Sequence, residues 1–174
     1  MKKVLFLIPV LFCFLISCQD KQVIADLEAY KSQAEIEELN KSVVQNYWNG
    51  KWNERTPAIL DELLTQDVIH HGSSEINGIE EYKQVYGMYL SAMGESNIEI
   101  EKLIAEGDFV MSQTRIQAIQ NGPLGDIPPT GNEVSAGIFT VFRLVDGKIA
   151  EEWEIMEEMA MMIQLGFELV PSSK

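Results

Sequence analysis

The clearest pattern in the chain is a pair of period-two runs near its C-terminus. Glu133 to Val145 and Lys148 to Glu157 alternate apolar and polar positions, and Asp146-Gly147 between them predicts a tight hairpin. Upstream, Phe109 to Gln120 reads as a longer strand. Asn97 to Ala105 reads as another, with Ile98 and Ile100 opposed to Glu99 and Glu101 and a turn at Glu106-Gly107-Asp108. Asn121 to Gly131 is a loop rich in Gly and Pro. Before the strands the period changes. Ile36, Leu39, Val43 and Tyr47 recur at helical spacing, and Val44 and Trp48 widen the stripe. This predicts a helix from Val23 that stops at Asn49-Gly50, its first part around Leu27 and Tyr30 serving as a stalk after a short linker, Gln19 to Gln22. Thr56-Pro57 caps a short helix through Leu64. Val68 to His71 is a short extended piece, stopped by Gly72-Ser73-Ser74. Asn77-Gly78 opens a third helix, Ile79 to about Met93, and Glu158 to Leu165 forms a Met-rich helical tail.

Helices first and an antiparallel meander afterwards predict an α+β fold, with helices packed on one face of a curved antiparallel sheet. A strongly bent sheet wrapped on helices leaves a conical pocket. The chemistry-bearing side chains then follow from which face of each strand points inward.

Between Lys148 and Glu157, alternation puts Ile149, Glu151, Trp153, Ile155 and Glu157 on one face, and Ala150, Glu152, Glu154 and Met156 on the other. Both faces carry acids. Trp153 and the two isoleucines favour the first as the inner one. A carboxylate held there among apolar groups has its pKa raised and can exchange protons with a carbonyl compound near neutral pH; on the sheet rim it is merely solvated. His70 and His71 are the only histidines, and as strand neighbours they point to opposite faces, so at most one enters the pocket. They cannot chelate one metal from a regular strand, and no Cys assists them, so no metal site is expected. Trp48, Trp52, Tyr47 and Tyr89 read as helix-face aromatics, and Met156, Met159, Met161 and Met162 as a soft apolar lining. No Gly-rich phosphate loop, Gly-x-Ser-x-Gly elbow or His-Glu-x-x-His motif is present, which leaves nucleotide hydrolases, serine hydrolases and zinc proteases without support.

The N-terminus has a different character. Lys2 and Lys3 precede an apolar stretch from Val4 to Ile16, shorter than a bilayer-spanning helix needs and built like a signal-peptide core. It ends in Leu15-Ile16-Ser17-Cys18, which matches the lipoprotein signal of bacteria, with Cys18 as the lipidated residue and several acyl chains as a stable anchor. The expected organisation is a signal peptide over 1–17, a lipidated Cys and tether over 18–34, and one domain over 35–174. That implies an exported, membrane-anchored lipoprotein of a bacterial cell envelope. Cys13 leaves with the signal and lipid consumes Cys18, so no thiol remains for a disulfide or a nucleophile. The whole chain carries a formal charge of −14, and cleavage removes Lys2 and Lys3 but no acid. Such a surface repels phosphate backbones, so nucleic acid is not an expected partner.

From Val43 to Gly166 the sequence resembles the SnoaL-like polyketide cyclases, or ester cyclases, of the nuclear-transport-factor-2-like superfamily. The resemblance rests on Asp67-Val68-Ile69-His70-His71, Gly78 and Tyr82, and Ile104-Ala105-Glu106-Gly107-Asp108. It also rests on Pro128 to Gly131, Phe142-Arg143, Asp146-Gly147-Lys148-Ile149, Glu151, Trp153 and Gln164-Leu165-Gly166. It implies the cystatin-like cone and ring closure by intramolecular aldol condensation without metal or organic cofactor. In the family an Asp after the Trp is the acid/base and a His in a Gly-Thr-His segment places the substrate. Here Glu157 holds the first position, and Ala118-Ile119-Gln120 replaces the segment, so Gln120 can bond a carbonyl but cannot shuttle a proton. The resemblance therefore implies Glu157 as acid/base and His71 and Gln120 as carbonyl-orienting residues. Trp153, Tyr47, Glu151, Tyr89 and Arg143 are the expected contacts to a small apolar or aromatic ligand. Two functions stay open: a cofactor-independent cyclase or isomerase-like enzyme, and a membrane-tethered module that binds such a ligand without chemistry. A homodimer joined through the open sheet face is a further reading.

Overall fold

The computed structural model describes residues 7–170, with side chains described from residue 21. The expected signal sequence and lipidated Cys18 lie outside the residues whose side chains are described. Among the described residues no helix is long and apolar enough to cross a membrane. The chain divides into two compact units, one up to Ile36 and one from Glu37 onward. A long helix α1 (Leu7–Trp48) begins well before the predicted start at Val23 and absorbs the predicted linker. Gln19, Lys21 and Gln22 of the predicted linker are good helix formers, with no Gly or Pro among them to stop the helix. In the first unit Val23, Ile24, Leu27 and Tyr30 are all exposed.

The second unit holds the remaining elements. A π-helical turn (Asn49–Asn53) follows α1, then α2 (Ile59–Leu63), β1 (Leu64–His71) and β2 (Glu75–Asn77). Next come α3 (Ile79–Ala92), β3 (Met93–Glu106), β4 (Phe109–Gln120), β5 (Glu133–Val145), β6 (Lys148–Met156) and α4 (Glu158–Gln164). The six strands form one sheet in the order β2-β1-β6-β5-β4-β3. All pairs are antiparallel except β1 with β6. That parallel pair departs from the expected meander. After β1 and β2 the chain crosses through α3 to β3 at the opposite edge of the sheet, and the meander from β3 then brings β6 back beside β1.

Turn chemistry behaves as the sequence predicts. Asp146 and Gly147 both have positive φ, 49° and 75°, the conformation of a two-residue hairpin turn whose twist matches the strands. Gly78 has φ 85° ahead of α3, and its N–H donates to the Val68 carbonyl at 2.7 Å, which ties α3 to β1.

The helices cover one face of the sheet. Val44, Tyr47 and Trp48 of α1, Leu60, Tyr82 and Tyr86 are buried against Val110, Ile116, Ile138, Phe142 and Leu144 of the strands. Phe142 meets Tyr47 and Trp48 edge-on, with ring centroids 5.4 and 5.9 Å apart. Ile36 and Leu39, expected on the apolar stripe, are exposed, and the buried polar residue Asn40 replaces them, donating to the Gly107 carbonyl at 3.1 Å.

Candidate functional site

Inside the cone, helices and sheet enclose a cavity with about 970 Å³ of atom-free space, counted out through its open mouth. Trp48, Trp52, Tyr86 and Tyr89 line it from the helical side, and Ile116, Val134 and Ile138 line it from the sheet. Gly72, Ser73, Ser74 and Glu158 are exposed lining residues and mark the mouth. Besides Glu158 and the phenols of Tyr82, Tyr86 and Tyr89, the ionisable groups that reach the cavity are Lys51, His70 and Glu154.

One irregularity in β6 decides which acids come inside. Arg143 pairs with Glu151, and Leu144 with Ile149, so Ala150 is an unpaired bulge residue. Ile149 is buried, as the alternation predicts, but the extra residue then shifts the phase by one. Beyond the bulge Glu152, Glu154 and Met156 turn inward, whereas Glu151, Trp153, Ile155 and Glu157 turn outward. The expected inner face is thereby corrected. Trp153 is 37% and Ile155 77% exposed, while Glu152 is 0% exposed.

Glu152 is the centre of a buried hydrogen-bond cluster. His70 Nδ1 lies 2.6 Å from its Oε1, the Tyr82 hydroxyl donates to the same oxygen at 2.7 Å, and the Tyr47 hydroxyl lies 3.1 Å from Oε2. The hydroxyls of Tyr47 and Tyr82 also touch each other. Lys51 Nζ donates to both, at 2.6 and 2.8 Å. Burial pushes the Glu152 carboxyl up, but the His70 hydrogen bond, the Lys51 and His70 charges and the Tyr82 bond outweigh it, and the net direction is down. An ionised Glu152 can only accept, so His70 Nδ1 carries a proton. His70 Nε2 is then the free ring nitrogen. It packs against Gly72, where a Cβ would lie only 2.4 Å away, and it has no hydrogen-bond partner among the described residues.

Glu154 differs from Glu152. Burial raises its pKa against the opposing Lys51 charge, the nearby Glu152 adds to the rise, and its only hydrogen bond among the described residues is a long one from Thr140 Oγ1 at 3.4 Å. The phenols of Tyr47 and Tyr82 are pushed well up, first by burial and then by the Glu152 charge. They stay protonated and serve as donors. Burial raises Tyr86 to about 12 and also raises Tyr89.

The sequence-predicted residues divide between these surroundings. Tyr89 lines the cavity, and Tyr47 is buried behind it in the Glu152 cluster. His71, Glu151, Arg143 and Trp153 meet on the outer face. His71 Nε2 lies 2.9 Å from Glu151 Oε1, Arg143 Nε donates to Glu151 Oε2 at 3.0 Å, and the His71 ring stacks on Trp153 at 5.3 Å. The hydrogen bond to His71 comes first among the effects that hold the Glu151 carboxyl below its usual range. Glu157 also sits outside. Its side chain is 57% exposed, accepts the Gly137 N–H at 2.8 Å, and lies 3.9 Å from Arg115. Gln120 is fully buried, but its amide is occupied. It donates to the Gly122 and Pro128 carbonyls and accepts from Thr130 N–H and Oγ1, which pins the Gly/Pro loop to the end of β4. Neither Glu157 nor Gln120 lines the cavity. Sequence reading chose His71 over His70 and missed Lys51, Glu152 and Glu154. Glu152 and Glu154 share the second face of the alternation, and Lys51 sits between two tryptophans in Trp48-Asn49-Gly50-Lys51-Trp52, a signal that went unused. The described residues contain no group of three or more His, Cys, Asp or Glu placed to hold a metal ion.

A curved sheet over helices, enclosing an apolar cavity that holds a carboxylate–histidine pair, defines this chain as a nuclear-transport-factor-2-like cone. The SnoaL-like polyketide cyclase family model matches residues 42–165, and the chain belongs to that family. The structure resembles a candidate SnoaL-like polyketide cyclase from Jannaschia sp. CCS1, with 23% identity and a TM-score of 0.71, covering 77% of this chain and 96% of that one. TsrD from Streptomyces laurentii is 25% identical with a TM-score of 0.68, covering 74% and 96% of the two chains. An LEH-like epoxide hydrolase from M. tuberculosis superposes with a TM-score of 0.61 at 18% identity, over 74% and 90%. No curated protein is similar enough to count as a match.

Proposed function

We propose that this chain is a cofactor-independent acid/base catalyst of the cyclase or isomerase type, acting on a small apolar or aromatic carbonyl compound. The observation that carries the reading is the His70–Glu152 pair at 2.6 Å, with the unpartnered Nε2 on a residue that lines the cavity. Glu152 holds the imidazole in one tautomer and stabilises the imidazolium that forms when Nε2 takes a proton from the carbon beside a carbonyl. Glu154, whose burial favours the protonated form, gives its proton to the carbonyl oxygen as negative charge develops there. Aromatic walls exclude water and hold a flat ring. This assignment puts His70 in the acid/base role that the family pattern would give to Glu157, and Glu154 on the carbonyl oxygen where that pattern would place Gln120.

The test is a thermal-shift screen of the full chain against β-keto esters and polycyclic phenols, with mass spectrometry on each stabilising compound. Conversion to a product of equal mass or to a dehydrated one, lost in His70→Gln while the thermal shift persists, supports the enzyme. A second reading, a non-catalytic binding module, is favoured by one observation: both family-pattern positions, Glu157 and Gln120, lie away from the cavity. A stabilising compound recovered unchanged from the wild-type chain would select that reading.

Two further parts of the proposal concern setting. Anchoring to a bacterial envelope membrane through Cys18 is supported by Leu15-Ile16-Ser17-Cys18. Labelled fatty acid incorporated by the wild type and not by Cys18→Ser would establish it. Pairing with a second copy of the chain is supported by Phe139, Val141, Trp153 and Ile155, exposed together on the outer face. Sedimentation of wild type as a dimer and of Ile155→Lys as a monomer is the expected result.

A further inference from the structure

The buried lysine invites a role beyond proton transfer. Lys51 sits on the π-helical turn after α1, an irregular element often found at functional sites. Position 51 is four residues after Tyr47, which places both side chains on one face, and the Tyr86 hydroxyl bonds the Lys51 carbonyl and holds the turn. The side chain lines the cavity, and its Nζ lies 4.8 and 5.0 Å from the ring centroids of Tyr47 and Tyr82. The groups that surround it are Tyr47, Tyr82 and Tyr86, with the acids Glu152 and Glu154 and His70 close by on the sheet. A permanent salt-bridge lysine would reach a carboxylate directly. Lys51 instead donates to two phenol oxygens, and no ion pair joins it to either acid. Burial lowers its pKa, although Glu152 and Glu154 oppose this. A neutral amine has two N–H bonds and one lone pair. Once the ammonium, whose charge helps to hold Glu152 ionised, gives up its third proton, two tyrosine oxygens take the remaining N–H bonds and the lone pair has no partner among the described residues.

We propose that Lys51 is a covalent amine: its Nζ captures the carbonyl carbon of an aldehyde or ketone in this cavity and holds it as an imine. The substrate class rests on the carbonyl reading given above. Nζ adds to the carbonyl carbon, a C–N bond forms, and the C=O π pair moves to oxygen, which takes the Glu154 proton. The adduct nitrogen returns a proton to the Glu154 carboxylate, which passes it to the hydroxyl, and water leaves as the nitrogen lone pair forms the C=N bond. Amine, carbonyl and the Glu154 proton thus give a protonated imine, one water and the Glu154 carboxylate, with no change in oxidation state. A protonated imine is a stronger electron sink than the carbonyl, so it eases removal of the adjacent carbon's proton by His70 Nε2.

Reductive trapping tests this. The full chain is incubated at neutral pH with benzaldehyde and sodium cyanoborohydride, and benzylated lysines are located by peptide mass mapping. Lys51 is expected to be modified at least about tenfold faster than the exposed Lys102, because burial lowers the Lys51 pKa and so raises the share of the neutral, nucleophilic amine, in a cavity that holds the aldehyde beside it. The preference should vanish in denaturing urea. Modification of Lys51 no faster than Lys102 in the folded chain, or a preference that survives urea, overturns the proposal. Trapping needs no turnover, so labelling at Lys51 stands if the His70 assignment fails, and absence of labelling leaves the His70 test untouched.

Discussion

The two faces of the sheet carry the same pair of residue types in different surroundings. Inside, His70 meets Glu152; outside, His71 meets Glu151. The four residues are neighbours on the parallel strands β1 and β6, and the pairs differ by one position in each chain segment. The inner carboxylate has no access to water and depends on His70, Tyr82 and Tyr47 for every bond it makes. The outer one is partly solvated, shares Arg143, and sits beside the exposed Trp153. The same pair of side chains is therefore a desolvated hydrogen-bond cluster on one face and a partly solvated one on the other. Desolvation makes the difference, because the interaction of a charge with its partners grows as water is removed.

The largest expected effect comes from Glu152→Leu, which leaves the Tyr47 and Tyr82 phenols and His70 without their shared acceptor. A loss of about 3–5 kcal/mol is expected in urea denaturation, against about 0–1 kcal/mol for Glu151→Leu outside. Equal losses would remove the distinction between the faces.

Acidity sharpens the contrast further. The Glu152 pKa is depressed in the folded chain, so its contribution to stability is present above the unfolded value and is lost as pH falls through the lower folded value. Glu154 runs the other way. Its raised folded pKa means that the contribution of its protonated form is complete below the unfolded value and is lost as pH rises through the folded one. Glu154→Gln should therefore stabilise the protein at neutral pH, by the order of 1 kcal/mol, and the gain should shrink in acid, as urea titrations across pH would show. Glu152→Gln should instead be most harmful at neutral pH. The smallest effect is expected for His71→Ala, less than about 1 kcal/mol with unchanged ligand-induced stabilisation, because its partners are solvated.

Much of the fold was legible in the chain. The bounds of β4 and β5 coincide with the alternating runs, and the Asp146-Gly147 turn adopts the positive φ angles that its residues favour. Tyr89 was legible as an apolar helix position and does face the cavity. The candidate site was harder to read for two reasons. The pattern from Lys148 to Glu157 has acids on both faces, so hydrophobicity alone could not rank them, and Trp153 and Ile155 pointed to the wrong one. Lys51 ranks as a surface residue by composition, and its burial depends on phenols contributed by α1 and α3.

By itself, then, the sequence determined the strands, their turns and the family of the fold, because local alternation and glycine placement are properties of adjacent residues. The tertiary structure decided which side of β6 is the site. A period-two pattern has two phases of nearly equal local energy, and only pairing with β5, where Arg143 meets Glu151 and Leu144 meets Ile149, inserts the extra residue that selects between them. The parallel contact of β1 with β6 then brings His70 opposite Glu152, a meeting of residues 82 positions apart that no local pattern encodes.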